Sequence, residues 1–494
     1  MIRTSILVGA AWAGVSGGGR YVYCCLAQLL LLLGASQVAR AQQLTWVAST
    51  EAKPWQVSEK VRAAKPAGGL ATPLQIFPDQ QLQVIEGFGA CFNEAGWEVL
   101  QTLPAAKRAE ILNELFAKRN SAFTWCRLPV ASNDYSLSYY SYDDVAEDFG
   151  MRNFNIDRDR YILIPYIKAA RQIAPDLQLW ASPWSPPAWM KVNNHYSMGS
   201  QGNDQWASDM VRGKNIDNNA TAFRMENRYL DAYALYLSKF VKAYAQEGLT
   251  IARLHVQNEI VYQPQWQSCT WRPDDLGYFI GSYLGPKFKQ EQVGAEIWLG
   301  TVNTANPTYI PTVLSNQKAA EYIKGIGMQW DAKQTIEAIH RAYPALPIVQ
   351  TESECGNGAN DWKAAEYTWS LMQRYLGNGA SSYMYWNMVL DETGRSNWGW
   401  VQNALISVDK TTSQVRYNPE FYLMKHLSHY VLPGAKRLAT SAGSHLAFRN
   451  VDGSTVLLLV NTDRAAKTFT ITCGASQTTV TVKANSFNTF RWQG

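Results

Sequence analysis

Ile251-Ala-Arg-Leu-His-Val-Gln-Asn258 is a short, largely apolar run that follows a long helical pattern at Ala222–Gln246 and stops at a carboxylate, Glu259. Seven further runs share this texture: Val84–Ala90, Phe123–Val130, Leu177–Trp184, Glu296–Thr301, Gly325–Trp330, Pro347–Thr351 and Tyr383–Asn387. Helical patterns such as Pro104–Lys118, Asp157–Ile173 and Trp362–Leu376 separate them. Strands alternating with helices predict an α/β fold, and near-continuous apolar strands predict a parallel sheet covered on both faces. Eight such units predict a (β/α)8 TIM barrel, whose chemistry sits where strands end and the following loops begin.

Beyond a last helix at about Tyr422–Val431 the texture changes to short alternating strands. These are Arg437–Thr440, His445–Asn450, Thr455–Asn461, Thr468–Thr472, Thr478–Val482 and Phe487–Trp492, joined by turn residues such as Val451-Asp-Gly-Ser. They predict a β-sandwich packed on the barrel. Leu44–Ser49 and Thr72–Phe77 also read as strand and are expected to join it. The expected organisation is a signal peptide over 1–41, an N-terminal segment over 42–80, the barrel over 81–430 and the sandwich over 431–494. The leader is read from Arg20, the apolar run Leu29–Leu33 and a small-x-small site at Ala39-Arg-Ala41. That run is much shorter than the roughly 20 residues of a membrane span. An exported chain beginning at Gln42, secreted or periplasmic and without a transmembrane segment, is therefore expected.

The 494 residues carry 47% hydrophobic and 17% charged side chains, a globular composition. A net charge of +5 without a dense Lys/Arg run excludes a nucleic-acid partner. The 19 Trp and 26 Tyr suit a saccharide partner, because flat C–H faces of sugars stack on aromatic rings, although many of these side chains simply fill a core. Of seven cysteines, Cys24 and Cys25 fall in the leader; Cys91, Cys126, Cys269, Cys355 and Cys473 leave room for one or two disulfides and at least one free thiol. No Cys/His spacing points to zinc, and neither metal nor cofactor is expected.

Leu254-His-Val-Gln-Asn-Glu259 ends the fourth strand, and Pro347-Ile-Val-Gln-Thr-Glu352 the seventh. Two carboxylates at the mouth of one barrel match the need of glycosidic hydrolysis: an acid for the leaving oxygen and a carboxylate at the anomeric carbon, about 5–5.5 Å apart when configuration is retained. Glu354 competes with Glu352 because both have the same strand parity; the apolar run stops at Val349, which puts Glu352 nearer the strand end. Glu86, Glu94 and Glu98 are expected to be solvated or structural.

Ile85-Glu-Gly-Phe-Gly-Ala90, Ala181-Ser-Pro-Trp-Ser-Pro-Pro-Ala-Trp-Met-Lys191, Gln257-Asn-Glu259 and Tyr385-Trp-Asn387 resemble glycoside hydrolase family 30, which holds glucosylceramidases, β-1,6-glucanases and glucuronoxylan-type xylanases. The resemblance implies a barrel with a β-sandwich, retaining chemistry without a cofactor, Glu259 as acid/base and Glu352 as nucleophile. It further implies Arg127 beside the nucleophile, Asp134 and Asn258 on sugar hydroxyls, and Trp184 and Trp386 as aromatic walls. Where glucosylceramidases carry an aromatic pair after strand six, this chain has Gln329-Trp330-Asp331, which leaves Trp330 as the aromatic contact and makes the leaving-group side acidic. A soluble β-1,6-glucan is thus the expected substrate. The other readings are a glucosylceramidase or xylanase of the same family and, from a different class, a carbohydrate-binding barrel without catalysis.

Overall fold

The structure, a computed structural model, describes residues 44–58, 71–198 and 220–493; the leader expected over 1–41 lies outside them. Three strands come first: β1 (Leu44–Thr50), β2 (Lys53–Ser58) and β3 (Thr72–Val84). Eight then form one parallel sheet: β4 (Gly87–Cys91), β5 (Trp125–Val130), β6 (Gln178–Pro183), β7 (Ile251–His255), β8 (Glu296–Val302), β9 (Ile323–Met328), β10 (Ile348–Gln350) and β11 (Ser382–Asn387). Their order is β10-β9-β8-β7-β6-β5-β4-β11. The ring closes where the Ser381 N–H donates to the Ile348 carbonyl at 2.7 Å. Every residue of β4 and of β11 is buried, as a sheet covered on both faces requires.

The helices bury one stripe against this barrel. In Asn227–Gln246, Tyr229, Tyr233, Tyr236, Phe240 and Tyr244 recur at three- and four-residue steps and are all buried. This helix starts five residues later than its sequence pattern. Ala222 and Arg224 spend their backbone groups on Thr270, Val192 and Met190 instead, and the Phe223 ring stacks on Trp271. The expected helix Asp157–Ile173 breaks into Asp157–Tyr161 and Leu163–Ile173. Pro165 lacks the N–H that would reach the Tyr161 carbonyl in a continuous helix.

A small sheet of β12 (Val389–Asp391), β13 (Ile406–Asp409) and β14 (Gln414–Tyr417) was not legible in the sequence. The last helix runs Pro419–Ser428, with proline at its start, where its missing N–H costs nothing. Then follow β15 (Lys436–Thr440), β16 (Leu446–Arg449), β17 (Thr455–Asn461), β18 (Lys467–Cys473), β19 (Ser476–Val482) and β20 (Ser486–Trp492). With β1–β3 they make a nine-stranded sheet ordered β19-β18-β3-β15-β16-β17-β20-β1-β2. The strand expected at Thr72–Phe77 continues to Val84, because its first half pairs with β18 and its second half with β15. Leu74, Ile76, Leu457, Phe469, Val480 and Phe490 fill the sandwich core. All five described cysteines are buried and unpaired, so neither possible disulfide forms. No helix among the described residues is long and apolar enough to cross a membrane.

His426, on the last helix, joins the two bodies: its ring nitrogens lie 2.8 Å from Thr489 Oγ1 and 2.8 Å from Ser49 Oγ. Burial pushes this imidazole down to about 3. Between the ordinary histidine value of ~6.5 and that value the unfolded chain takes up a proton that the folded chain refuses. The contribution of His426 is therefore whole above ~6.5 and falls by about 1.4 kcal/mol per pH unit below it. The melting-temperature gap between the native chain and His426→Asn is expected to narrow as pH is lowered from 7 to 4; a constant gap would count against this.

Candidate active site

The loops after the parallel strands bring the polar residues to one end of the barrel. A cavity of about 270 Å³ opens there, lined among others by Asp134, Trp184, Asn258, Glu259, Trp330, Asp331 and Glu352. Arg127, on β5, lies behind this lining and is fully buried. Its Nη1 donates to Glu352 Oε2 at 2.6 Å, its Nη2 to Asn258 Oδ1 at 2.6 Å, and both Nε and Nη2 reach Ser182 Oγ at 3.1 and 2.9 Å. Indole faces surround the guanidinium, Trp184 at 4.2 Å and Trp386 at 5.3 Å. A buried cation persists only when paired and hydrogen-bonded, and a planar guanidinium meets both conditions here.

Glu352 Oε2 is thus held by Arg127, and also by Gln329 Nε2 at 3.2 Å; Oε1 receives only the longer bond from Trp330 Nε1, 3.3 Å. Glu354 turns elsewhere, to Lys333 Nζ at 2.7 Å and to the Tyr367 hydroxyl at 2.5 Å. Of the two glutamates that parity could not separate, Glu352 alone lines the cavity.

Glu259 sits in the left-handed region, φ +49°, as does Trp330 at +48°. Such backbone is costly for side chains with a Cβ, and surrounding bonds must hold it. For Glu259 these include its N–H to Thr301 Oγ1 at 3.2 Å and the Trp271 N–H to the Ile260 carbonyl at 3.0 Å. Gln329 Nε2 lies 3.3 Å from Glu259 Oε1 and 3.2 Å from Glu352 Oε2, so these two oxygens are at most about 6.5 Å apart. The separation is roughly 5.6 Å if each takes one arm of the planar NH2 fork. Burial, then the charges of Glu352 and Asp134, raise the pKa of Glu259 well above the ordinary glutamate range, with Gln329 and Arg127 opposing. Burial and Glu352 likewise raise Asp134, whose Oδ1 has no protein partner.

Asn258 makes its protein contacts through Oδ1, to Arg127, Thr301 and Gln329, which leaves its amide nitrogen for the cavity. Trp184 lines the cavity; Trp386, expected as a second wall, lies behind it, stacked at 5.3 Å and 1% exposed. Trp386 Nε1 makes no hydrogen bond but is near enough to Asp134 to oppose its upward shift slightly. The remaining glutamates are structural or solvated: Glu86 pairs with Arg253 at 2.6 Å, Glu94 with Arg158 at 2.7 Å, and Glu98 is exposed.

Sequence reasoning missed Gln329, Thr301 and Ser182, though each stands at or just beyond a strand end, where the barrel rule directs attention. Tyr262, Trp266, Asn303, Trp400 and Gln402, on the loops that complete the cavity, gave no such signal. Among the described residues no group of three or more His, Cys, Asp or Glu is arranged to hold a metal ion.

The site combines one buried carboxyl whose pKa its surroundings raise and one carboxylate bonded to a guanidinium, with a single amide nitrogen between them. Known proteins resemble this chain along most of its length. Residues 85–431 match the model of the glycosyl hydrolase family 30 TIM-barrel domain, and 434–490 that of the family 30 β-sandwich domain. The chain is 29% identical over 414 residues to a candidate glucosylceramidase 1 of Caenorhabditis elegans, covering 78% of this chain and 76% of that one. It is 27% identical over 429 residues to an endo-1,6-β-D-glucanase of Neurospora crassa, covering 82% and 84%. The crystal structure of SrfJ from Salmonella typhimurium superposes with a TM-score of 0.80 at 23% identity, over 92% of this chain and all of that one, a likeness of fold.

Proposed function

This chain belongs to glycosyl hydrolase family 30 and is a glycoside hydrolase, and from that premise we propose that it cleaves β-1,6-linked glucan with retention, by double displacement at Glu352 and Glu259. The observation that carries the reading is the spacing of the pair. One amide nitrogen bridges the pair, so these oxygens lie no more than about 6.5 Å apart, at the short edge of the roughly 6.5–9.5 Å of inverting pairs and toward the about 5–5.5 Å of retaining ones.

In the first step Glu352 Oε1, the oxygen with the weaker hold, attacks the anomeric carbon. The glycosidic C–O bond breaks and its oxygen takes the proton of Glu259. In the second step water attacks the same carbon, its proton passes to Glu259, and the ester bond to Glu352 breaks. Asn258, through its free amide, and Asp134 bind sugar hydroxyls, Trp184 gives the ring a flat face, and Arg127 and Trp386 support these groups from behind.

A hydroxyl-bearing leaving group is favoured by Asp331, which lines the cavity with a side chain 65% exposed, and by Asn303. Asp134, Glu259, Asp331 and Glu352 line the cavity, and the cations beside them, Arg127 on Glu352 and Lys333 on Asp331, are not part of the lining, which disfavours uronate-bearing xylan. Export of the chain through the leader at 1–41 belongs to the same proposal. A panel of β-1,6-glucan, glucosylceramide and glucuronoxylan tests the substrate: β-1,6-glucan should be cleaved fastest, and cleavage of glucosylceramide alone overturns this choice. The first product seen by NMR should keep the β configuration; an α product refutes the double displacement.

A further inference from the structure

Gln329 follows β9 directly and is fully buried. Its amide is fixed at one end, where Oε1 accepts from the Thr351 hydroxyl at 2.8 Å. At the other end a single nitrogen with two N–H groups faces three acceptors: Glu352 Oε2 at 3.2 Å, Glu259 Oε1 at 3.3 Å and Asn258 Oδ1 at 3.4 Å. All three contacts are long and shared, unlike the 2.6 Å bonds of Arg127 to Glu352 and Asn258. An amide N–H follows negative charge, because hydrogen bonds to ionised acceptors are roughly twice as strong as those to neutral ones.

During double displacement the charge changes place. Glu352 is ionised before the first step and becomes a neutral ester after it, while Glu259 loses its proton and becomes the charged partner. We propose that Gln329 is a positioning residue whose one amide nitrogen ties the two carboxylates together and shifts its hold from Glu352 to Glu259 as the charge moves, readying Glu259 to act as base; this rests on the double-displacement reading above. Because the amide donates to Glu259 Oε1, the acidic proton in the resting enzyme belongs on Oε2. The other charged groups facing Glu259 are Glu352, Asp134 and Arg127, with the neutral Tyr262 hydroxyl beside it; among the described residues Gln329 is the neutral donor whose hydrogen bonds reach both carboxylates, Trp330 reaching Glu352 alone.

Gln329→Met keeps the length of the side chain and removes the donor. With dinitrophenyl β-glucoside, whose departure needs no acid, kcat reports the second step. It is expected to fall about tenfold in the variant while kcat/KM changes by less than about threefold, and azide, a nucleophile that needs no base, should restore kcat. With a methoxyphenyl glucoside, which does need the acid, the alkaline limb of kcat/KM should move up by about one pH unit. Thr351→Val, which frees the amide without removing it, should show the same pattern more weakly and serves if the first variant does not fold. Equal losses in kcat and kcat/KM, an unmoved limb and no azide effect would mean a purely structural role and overturn the proposal, as would unchanged kinetics. Glu259→Ala is the control: its restoration by azide upholds the double displacement whatever Gln329 does, and its failure overturns both.

Discussion

Glu352→Gln is expected to lower kcat/KM on β-1,6-glucan by roughly 10⁴-fold or more, the scale seen when a covalent nucleophile is removed. The amide has the volume of the carboxylate but neither its charge nor its nucleophilicity. The substitution also leaves the fully buried Arg127 without its counter-charge at 2.6 Å. Breaking a buried pair from one side costs about 3–5 kcal/mol, so a lowered melting temperature should accompany the loss of turnover. Glu354→Gln separates the two effects. It weakens the contacts to Lys333 and Tyr367 but touches nothing in the cavity, so turnover should stay within about threefold of native. Turnover surviving in the first variant and lost in the second would reverse the assignment.

Glu259→Gln should show a loss that depends on the leaving group. On glucan, whose departing alkoxide must be protonated, the rate should drop by about 10²–10⁴-fold. On an aryl glucoside with an acidic phenol the first step should persist and the second slow, so that phenol appears in a burst. The native enzyme should lose kcat/KM as pH rises through the pKa of Glu259, because only the protonated form can donate. Burial and the charges of Glu352 and Asp134 raise that pKa, which extends activity well above the ~4.3 of a free glutamate. In the variant this alkaline limb should vanish; a limb that stays put assigns the titration to another group.

The barrel was legible because its strands are mostly buried on both faces and so read as largely apolar runs; β7, with Asn258-Glu259 three residues beyond its end, announced the fold and one of the two carboxylates. Glu352 and Glu354 could not be told apart by alternation, since what distinguishes them is lateral company: Arg127 and Gln329 for one, Lys333 and Tyr367 for the other. Gln329 was quoted but passed over because an amide between two acids declares itself only through distances. The left-handed backbone at Glu259 and Trp330 leaves no trace in periodicity either, as neither residue type favours it. The length of β3 was misjudged for a related reason: past Phe77 the strand continues because Gln81 and Val84 pair with Leu438 and Lys436 of β15, partners more than 350 residues away that the local pattern does not announce.

β1 pairs along its length with β20, and β3 takes both neighbours, β15 and β18, from the last sixty residues. The first strands to leave the ribosome therefore wait for the last ones before their edges are covered. Through almost the whole of synthesis the thirteen-residue β3 is an unsatisfied template for any passing strand. The chain is fastened end to end like a belt, and its safest moment comes only when the buckle, β20, has been made.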